Sequence, residues 1–486
     1  MRGVVAAGHP LSAEAGADVL RAGGNAVDAA IAAMLASFAT EPLLTGFGAG
    51  GYMLVGTPQG EDVLIDFFVE AHGRATAPGA AELIPVVIAF GDVEQVFNVG
   101  PASAGAYGNP AGICAAHERF ATLPLAELAA PAIGLARRGV PLNDAQAAIF
   151  ELLEPIIAIS PEARERFAMT RPGDVVVLPE LADAIEHLAA EGAAPFYTGD
   201  VAARVCDWVG ERGGSLSREN LAGYRVVERD PVVAAYRGRH VLTNPPPSAG
   251  GLLIAYVLGE LDRKPGPPTI DRIVAAMQAA QEARTPAFLE GLDRPGFLDE
   301  FLAARLGNTT HLSVIDADGM ACSVTCTNGE GSGVVVPGTG VHLNNMMGES
   351  DLSPMGFFTH PAGRRLPSMM APTLVRSLEG KTELVLGSAG SNRIRSTILQ
   401  VVSNVIDRGM TVSAAVQAPR VHWEDGVVYA EPGADLAGLE PAHGPVAAFQ
   451  DLNVFFGGCQ AVHRDPATGE LSGAGDPRRG GAVVMV

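Results

Sequence analysis

The sequence predicts an α/β protein in which sheets and helices are layered against one another. Three observations carry that expectation. Helical apolar periodicity alternates with short strand patterns along the chain. Residues 311–327, HLSVIDADGMACSVTCT, read as a β-hairpin turning at Asp318-Gly319. Residues 382–410, TELVLGSAGSNRIRSTILQVVSNVIDRGM, read as strand, glycine loop and long helix.

Taken in order, Ser12 is placed to cap a helix that runs through Leu20 and stops at Gly23-Gly24. A second, apolar helix is expected from about Ala26 to Phe38. The loop GFGAGGYMLVGT then feeds a strand from Tyr52 to Val55. Gly46, Gly48 and Gly51 match G-x-G-x-x-G, but a dinucleotide site needs strand, glycines, helix. Here the order is helix, glycines, strand, which excludes that reading. Helical patterns recur near Leu125–Arg138, Leu178–Ala190 and Ile270–Arg284. Asn244–Gly251, NPPPSAGG, is a rigid turn opening another helix. From Thr309 onward, short strands and tight glycine turns dominate.

A chain of 486 residues, 48% apolar and 18% charged, can bury a large core in two or three domains or one large unit. Its net charge of −21 argues against a nucleic-acid partner, because phosphate neutralisation needs an excess of Lys and Arg. Five scattered cysteines, with no paired spacing, favour neither a zinc site nor a disulfide framework and read as buried thiols. No secretory signal is visible before Pro10. The most apolar run, Ala29–Ala39, covers about 11 residues against the ~20 that cross a bilayer. The expectation is a cytoplasmic protein with no membrane partner.

Most catalytic constellations are missing. There is no G-x-S-x-G elbow, no H-E-x-x-H or H-x-H metal spacing and no G-x-x-x-x-G-K-[ST]. What stands out is GNTTHLSVID at 307–316, an Asn followed by two hydroxyls at a strand start. A Thr hydroxyl is too weak an acid to attack an amide unaided. It becomes competent when it is the first residue of its chain, with its own α-amine as base. That would require cleavage of the Asn308–Thr309 bond by the same hydroxyl. Thr is also a good strand former, so the pair equally suits a plain strand start.

Further motifs bear on the choice: HPLSAEAGADVLRAGGNAVDAAIAA (His9–Ala33), NPPPSAGG, TTHLSVIDADG from Thr309, PGTGVHLNN (Pro337–Asn345), APRVH (Ala418–His422) and GAGDPR (Gly473–Arg478). In this order, and across essentially the whole chain, they resemble the γ-glutamyltranspeptidase (γ-glutamyltransferase) family of N-terminal-nucleophile hydrolases. The resemblance implies a four-layer αββα sandwich, made as a precursor and self-cut into residues 1–308 and 309–486. The two chains would stay together as a heterodimer, or as a dimer of these. Thr309 would be the nucleophile and Thr327 the threonine that hydrogen-bonds it. GSAGSNR (Gly387–Arg393) would be the oxyanion loop, with Gly390 followed by Ser391 where the family usually has two glycines. The ligand class implied is a small-molecule γ-glutamyl or related amide, with no metal or organic cofactor.

The departures concern substrate. Phe68 stands where the family places an Arg that clamps the α-carboxylate, so an aromatic wall is expected there. Of two family serines near that carboxylate, only Ser368 is kept, beside Met369. Asn345 and Glu349 match the segment that holds the substrate amine, and Asn328 matches a further contact to the amino-acid head. Three readings follow: a γ-glutamyltransferase-like enzyme; the same fold and nucleophile turned to another substrate, as an acylase or a C–C bond-cleaving hydrolase of an antibiotic or alkylproline pathway; or an unprocessed, non-enzymatic binding protein. Keeping Thr309, Thr327 and the glycine loop together argues against the last.

Overall fold

The computed structural model describes residues 2–73, 82–90, 93–282, 310–350, 352–353, 356–390 and 392–486. Two sheets form its centre. Among the described residues the first has seven strands, in the order Ala482–Met485, Gly3–Ala7, Thr310–Asp316, Ala321–Thr327, Gly50–Gly56, Asp62–Phe67 and Val227–Arg229. The second has six: Leu471–Ala474, Gly458–Arg464, Thr382–Ala389, Thr373–Ser377, Arg239–Thr243 and Val232–Tyr236. Every pairing within these two sheets is antiparallel.

Alternation along each strand sends side chains to opposite faces. Val4, Leu54 and Ile315 of the first sheet meet Leu242, Val385 and Val462 of the second in a core between the sheets. On the far face of the first sheet, Val5, Val55 and Val314 share a core with the Pro10–Ala22 and Ala26–Thr40 helices. On the far face of the second, Val241, Val375 and Leu386 do so with Gly250–Asp262 and Arg393–Ile406. The layers therefore run helix, sheet, sheet, helix, as expected.

Segments from both sides of residue 308 build both sheets. Gly3–Ala7 lies between Thr310–Asp316 and Ala482–Met485, and Arg239–Thr243 pairs with Thr373–Ser377.

The first helix differs in its start. It begins at Pro10, with His9 rather than Ser12 as the cap; the His9 Nδ1 accepts from Leu11 N–H at 3.1 Å. Proline fits a first helical turn because its missing N–H would have no partner there, and the cap lies three residues upstream of Ser12. Ser12 is instead buried, its hydroxyl 2.8 Å from that of Thr40. The second helix is buried all round and runs on to Thr40, which delivers Glu41 to the end of the first sheet. Four cysteines are buried, Cys114 is half-buried, and all five are free. Among the described residues no helix is long and apolar enough to cross a membrane.

Candidate active site

The site forms where the two sheets meet the Gly387–Arg393 loop. Thr310 opens its strand and pairs with Cys326, and Thr327 is the next residue beyond that pair. The Thr327 hydroxyl accepts from Gly329 N–H at 2.7 Å. Asn308, Thr309 and Ser391 lie outside the described residues. Thr327 and Gly390 line one cleft of about 610 Å³, together with Glu330, Arg393 and Arg479.

Gly390 ends the Thr382–Ala389 strand with φ +118°, and a Cβ there would stand 2.6 Å from the Gly457 Cα. Only glycine fits. The Arg393–Ile406 helix follows, and its cap residue Asn392 gives it no side-chain hydrogen bond. The helix start thus supplies backbone donors suited to a developing oxyanion.

His311 is hydrogen-bonded within the first sheet and packs against this loop's strand in the second. Its Nδ1 lies 2.8 Å from the Thr325 hydroxyl and its Nε2 2.8 Å from that of Ser313. A Cβ at Gly387 would come within 2.4 Å of the imidazole, so glycine there lets the ring sit against the second sheet. Burial pushes His311 down to about 3, so the ring is neutral at working pH.

Glu41 is buried beside the strand start, accepting from the Thr310 hydroxyl at 3.3 Å. Burial raises its carboxyl to about 7, against the opposing pull of the Thr310 hydrogen bond and the Arg479 charge. An acid whose folded pKa lies above its unfolded value keeps its proton longer in the fold, so it costs stability as pH rises from about 4.5 to 7. Glu41→Gln should therefore gain stability relative to wild type across that window, by up to about 3 kcal/mol. Urea unfolding at pH 5 and pH 8 would show it; a difference independent of pH would refute the assignment.

Asn328, Asn345 and Glu349 gather around Gly329. Asn345 N–H donates to the Asn328 carbonyl at 3.1 Å, and its Oδ1 accepts from Glu330 N–H at 3.1 Å. Among the described residues the buried Asn345 Nδ2 and Asn328 Oδ1 have no hydrogen-bond partner, leaving a donor and an acceptor for a ligand. At Gly329, φ is +69° and a Cβ would fall 2.0 Å from Asn345 Oδ1 and 2.1 Å from Glu349 Oε1. Gly329→Ala should displace both and lower kcat/KM by about 10²-fold; a fall under threefold would detach this cluster from the reaction.

Ser368 and Phe68 do not line the cleft that holds Thr327 and Gly390. The Ser368 Oγ accepts from Met370 N–H at 3.0 Å, and its carbonyl accepts from Ser248 Oγ at 2.9 Å. The NPPPSAGG turn thus pins this segment, with Asn244 Nδ2 also donating to the Met370 carbonyl at 2.8 Å. The Phe68 ring is 1% exposed, stacked 5.5 Å from Tyr52 in the core between the sheets that also holds Met346, Met347 and Met370. A buried guanidinium, Arg365, does lie nearby. It is engaged by Asp66, Glu70, Tyr224 and the Phe68 carbonyl.

Sequence reasoning missed Glu41, Glu330, Arg393 and Arg479. For Glu41 a signal existed: a carboxylate closing a largely apolar helix, just before the glycine loop. Arg479 follows GAGDPR directly. There the buried Asp476 accepts from Arg420, from Cys459 N–H at 2.8 Å and from Arg478 N–H at 3.0 Å, and Arg478 pairs with buried Glu431.

Comparison with known proteins bears on the family and the fold. A family model described as gamma-glutamyltranspeptidase matches residues 12–293 and 296–486. The glutathione hydrolase proenzyme of Escherichia coli (strain K12) is 32% identical over 539 aligned positions, covering 98% of this chain and 90% of its own. The Acylase ACY 1 proenzyme of Pseudomonas sp. (strain SE83) is 33% identical, covering 88% of this chain and 84% of its own. The crystal structure of cephalosporin acylase from Bacillus halodurans superposes with a TM-score of 0.83 at 27% identity, over 99% of this chain and 95% of that one.

Proposed function

Because the chain belongs to the gamma-glutamyltranspeptidase family, we propose that it cuts its own Asn308–Thr309 bond and then works as an N-terminal-threonine hydrolase or transferase on small amide substrates. The enzyme class is that of the family. In this reading the Thr309 hydroxyl attacks the carbonyl of Asn308, the C–N bond breaks, and the resulting ester is hydrolysed. The freed α-amine then serves as base for the same hydroxyl in turnover. Attack on a substrate amide carbonyl expels the amine and leaves an acyl ester on Thr309, which water or an acceptor amine resolves. Backbone N–H groups of the Gly390–Ser391 loop hold the oxyanion, and Thr327 orients the nucleophile. Residues 1–308 and 309–486 persist as a heterodimer. No step calls on a metal or organic cofactor.

The observation that carries the reading is that Thr327 and Gly390 line one cleft, while the Thr310 strand start pairs with Cys326, the residue before Thr327. Asn328, Asn345 and Glu349 support an acyl group bearing an amine, as in a γ-glutamyl amide. The acylase reading has its own support, since Phe68 lies packed in core where the family places its carboxylate-clamping Arg. Turnover of γ-glutamyl-p-nitroanilide beside glutaryl-p-nitroanilide, which lacks the amine, separates the two. Preference for the first supports γ-glutamyl chemistry, and preference for the second an acylase. An uncleaved wild-type chain that turns over neither would refute both.

A further inference from the structure

We propose that Arg393 and Arg479 form an anion-binding subsite beside the oxyanion loop, which takes a carboxylate carried on an apolar part of the substrate. The inference rests on the cleft being the reaction site and deepens that reading by naming the charge and character of what it accepts.

Four observations support it. In a chain with 33 basic against 54 acidic residues, this cleft is lined by two guanidinium groups and one carboxylate, Glu330. Arg479 lies against the loop itself: a Cβ on Gly390 would be 3.6 Å from its Nη2. Both side chains are held. Arg393 donates Nε–H to the Phe455 carbonyl at 2.9 Å, with its guanidinium 4.5 Å over the Phe455 ring. Arg479 runs along Gly458, where a Cβ would come within 2.6 Å of its Cδ. Finally, the buried Nε of Arg479 has no acceptor among the described residues, an unmet donor of the kind a bound ligand satisfies.

The electrostatics point the same way. Burial and the neighbouring Arg393 lower Arg479 to about 10, while Glu41, Glu330 and Asp476 oppose that shift without meeting its guanidinium in an ion pair among the described residues. Two like charges close together are relieved by an anion between them, and a planar guanidinium suits a carboxylate in bidentate fashion. Leu44, Leu153 and Val454 wall the same cleft, which suits an apolar body behind that carboxylate. This position lies beside the oxyanion loop, in a cleft that neither Phe68 nor Ser368 lines, so it is not the clamp expected from the sequence.

The test is calorimetric titration of octanoate, and of its neutral isostere octanamide, into the purified full-length chain at low salt. Octanoate should bind at least tenfold more tightly than octanamide. Arg479→Gln should remove that advantage, and Arg479→Lys should keep part of it, having the charge without the fork. Equal affinities in wild type would overturn the proposal, and so would an advantage unchanged in Arg479→Gln. The wild-type comparison alone can overturn it, so a variant that fails to fold does not shelter it. Intact mass reports separately on cleavage: an uncut chain that still prefers octanoate sinks the hydrolase reading and leaves the subsite, while a cut chain without the preference does the reverse.

Discussion

Thr309→Ala will be recovered as one polypeptide of 50.0 kDa, whereas the wild-type chain will separate under denaturing conditions into two. Their masses will be roughly 32 and 18 kDa, the shares of 50.0 kDa carried by 308 and 178 residues. The smaller will begin Thr-Thr-His-Leu-Ser. Alanine has no oxygen to attack the preceding carbonyl, so neither the cut nor the acyl ester can form. Activity should fall by at least ~10³-fold, because nucleophile and base are lost together. Thr309→Ser, which keeps the hydroxyl, should still be cut. A Thr309→Ala chain that divides normally would place the nucleophile elsewhere and end the proposed mechanism.

Asp476→Ala will lower stability by about 3–5 kcal/mol, the range for breaking a buried ion pair from one side. Asp476, Arg478 and Glu431 are fully buried and Arg420 nearly so. Removing this carboxylate leaves the buried Arg420 guanidinium without its carboxylate partner and Arg478 with Glu431 alone. Burial alone would raise the Asp476 pKa, but Arg420 and Arg478 hold it below the ordinary carboxylate range. Its contribution is therefore complete above pH 4 and lost as the solution is acidified below that. A fall in urea midpoint at unchanged slope would register the effect. A loss under 1 kcal/mol would mean that the cluster gives position rather than stability.

The parts of the fold legible in the sequence were those with a local cause. The hairpin was readable because Asp318-Gly319 needs a residue at positive φ, and Gly319 has φ +89°. Leu125–Arg138 runs between the bounds its periodicity set. Local rules misplaced the first cap, since Ser12 is a good cap residue but Thr40, 28 positions away, holds its hydroxyl. The site divides in the same way. Thr327, Gly390, Asn328 and Asn345 were nameable because motifs mark them. Glu41 and Arg479 were not, because their roles depend on which distant segments meet: Glu41 on Thr310, and Arg479 on Gly390. Phe68 was read as a wall of the substrate pocket, but its surroundings are set by Tyr52 and three methionines on other segments.

The weaving of strands from either side of residue 308 into both sheets has a consequence for the protein's life history. In the proposed mechanism, folding before the cut is a first-order event within one molecule. Afterwards the same structure is an association of two polypeptides, each lacking the neighbours its strands need. Unfolding then becomes dissociation, and the midpoint of heat or urea denaturation acquires a dependence on protein concentration that the Thr309→Ala chain does not share. Recovery from denaturant should be efficient for that uncut variant and poor for the mature form, whose separated pieces expose apolar strands before they find one another. Maturation therefore makes folding a step taken once.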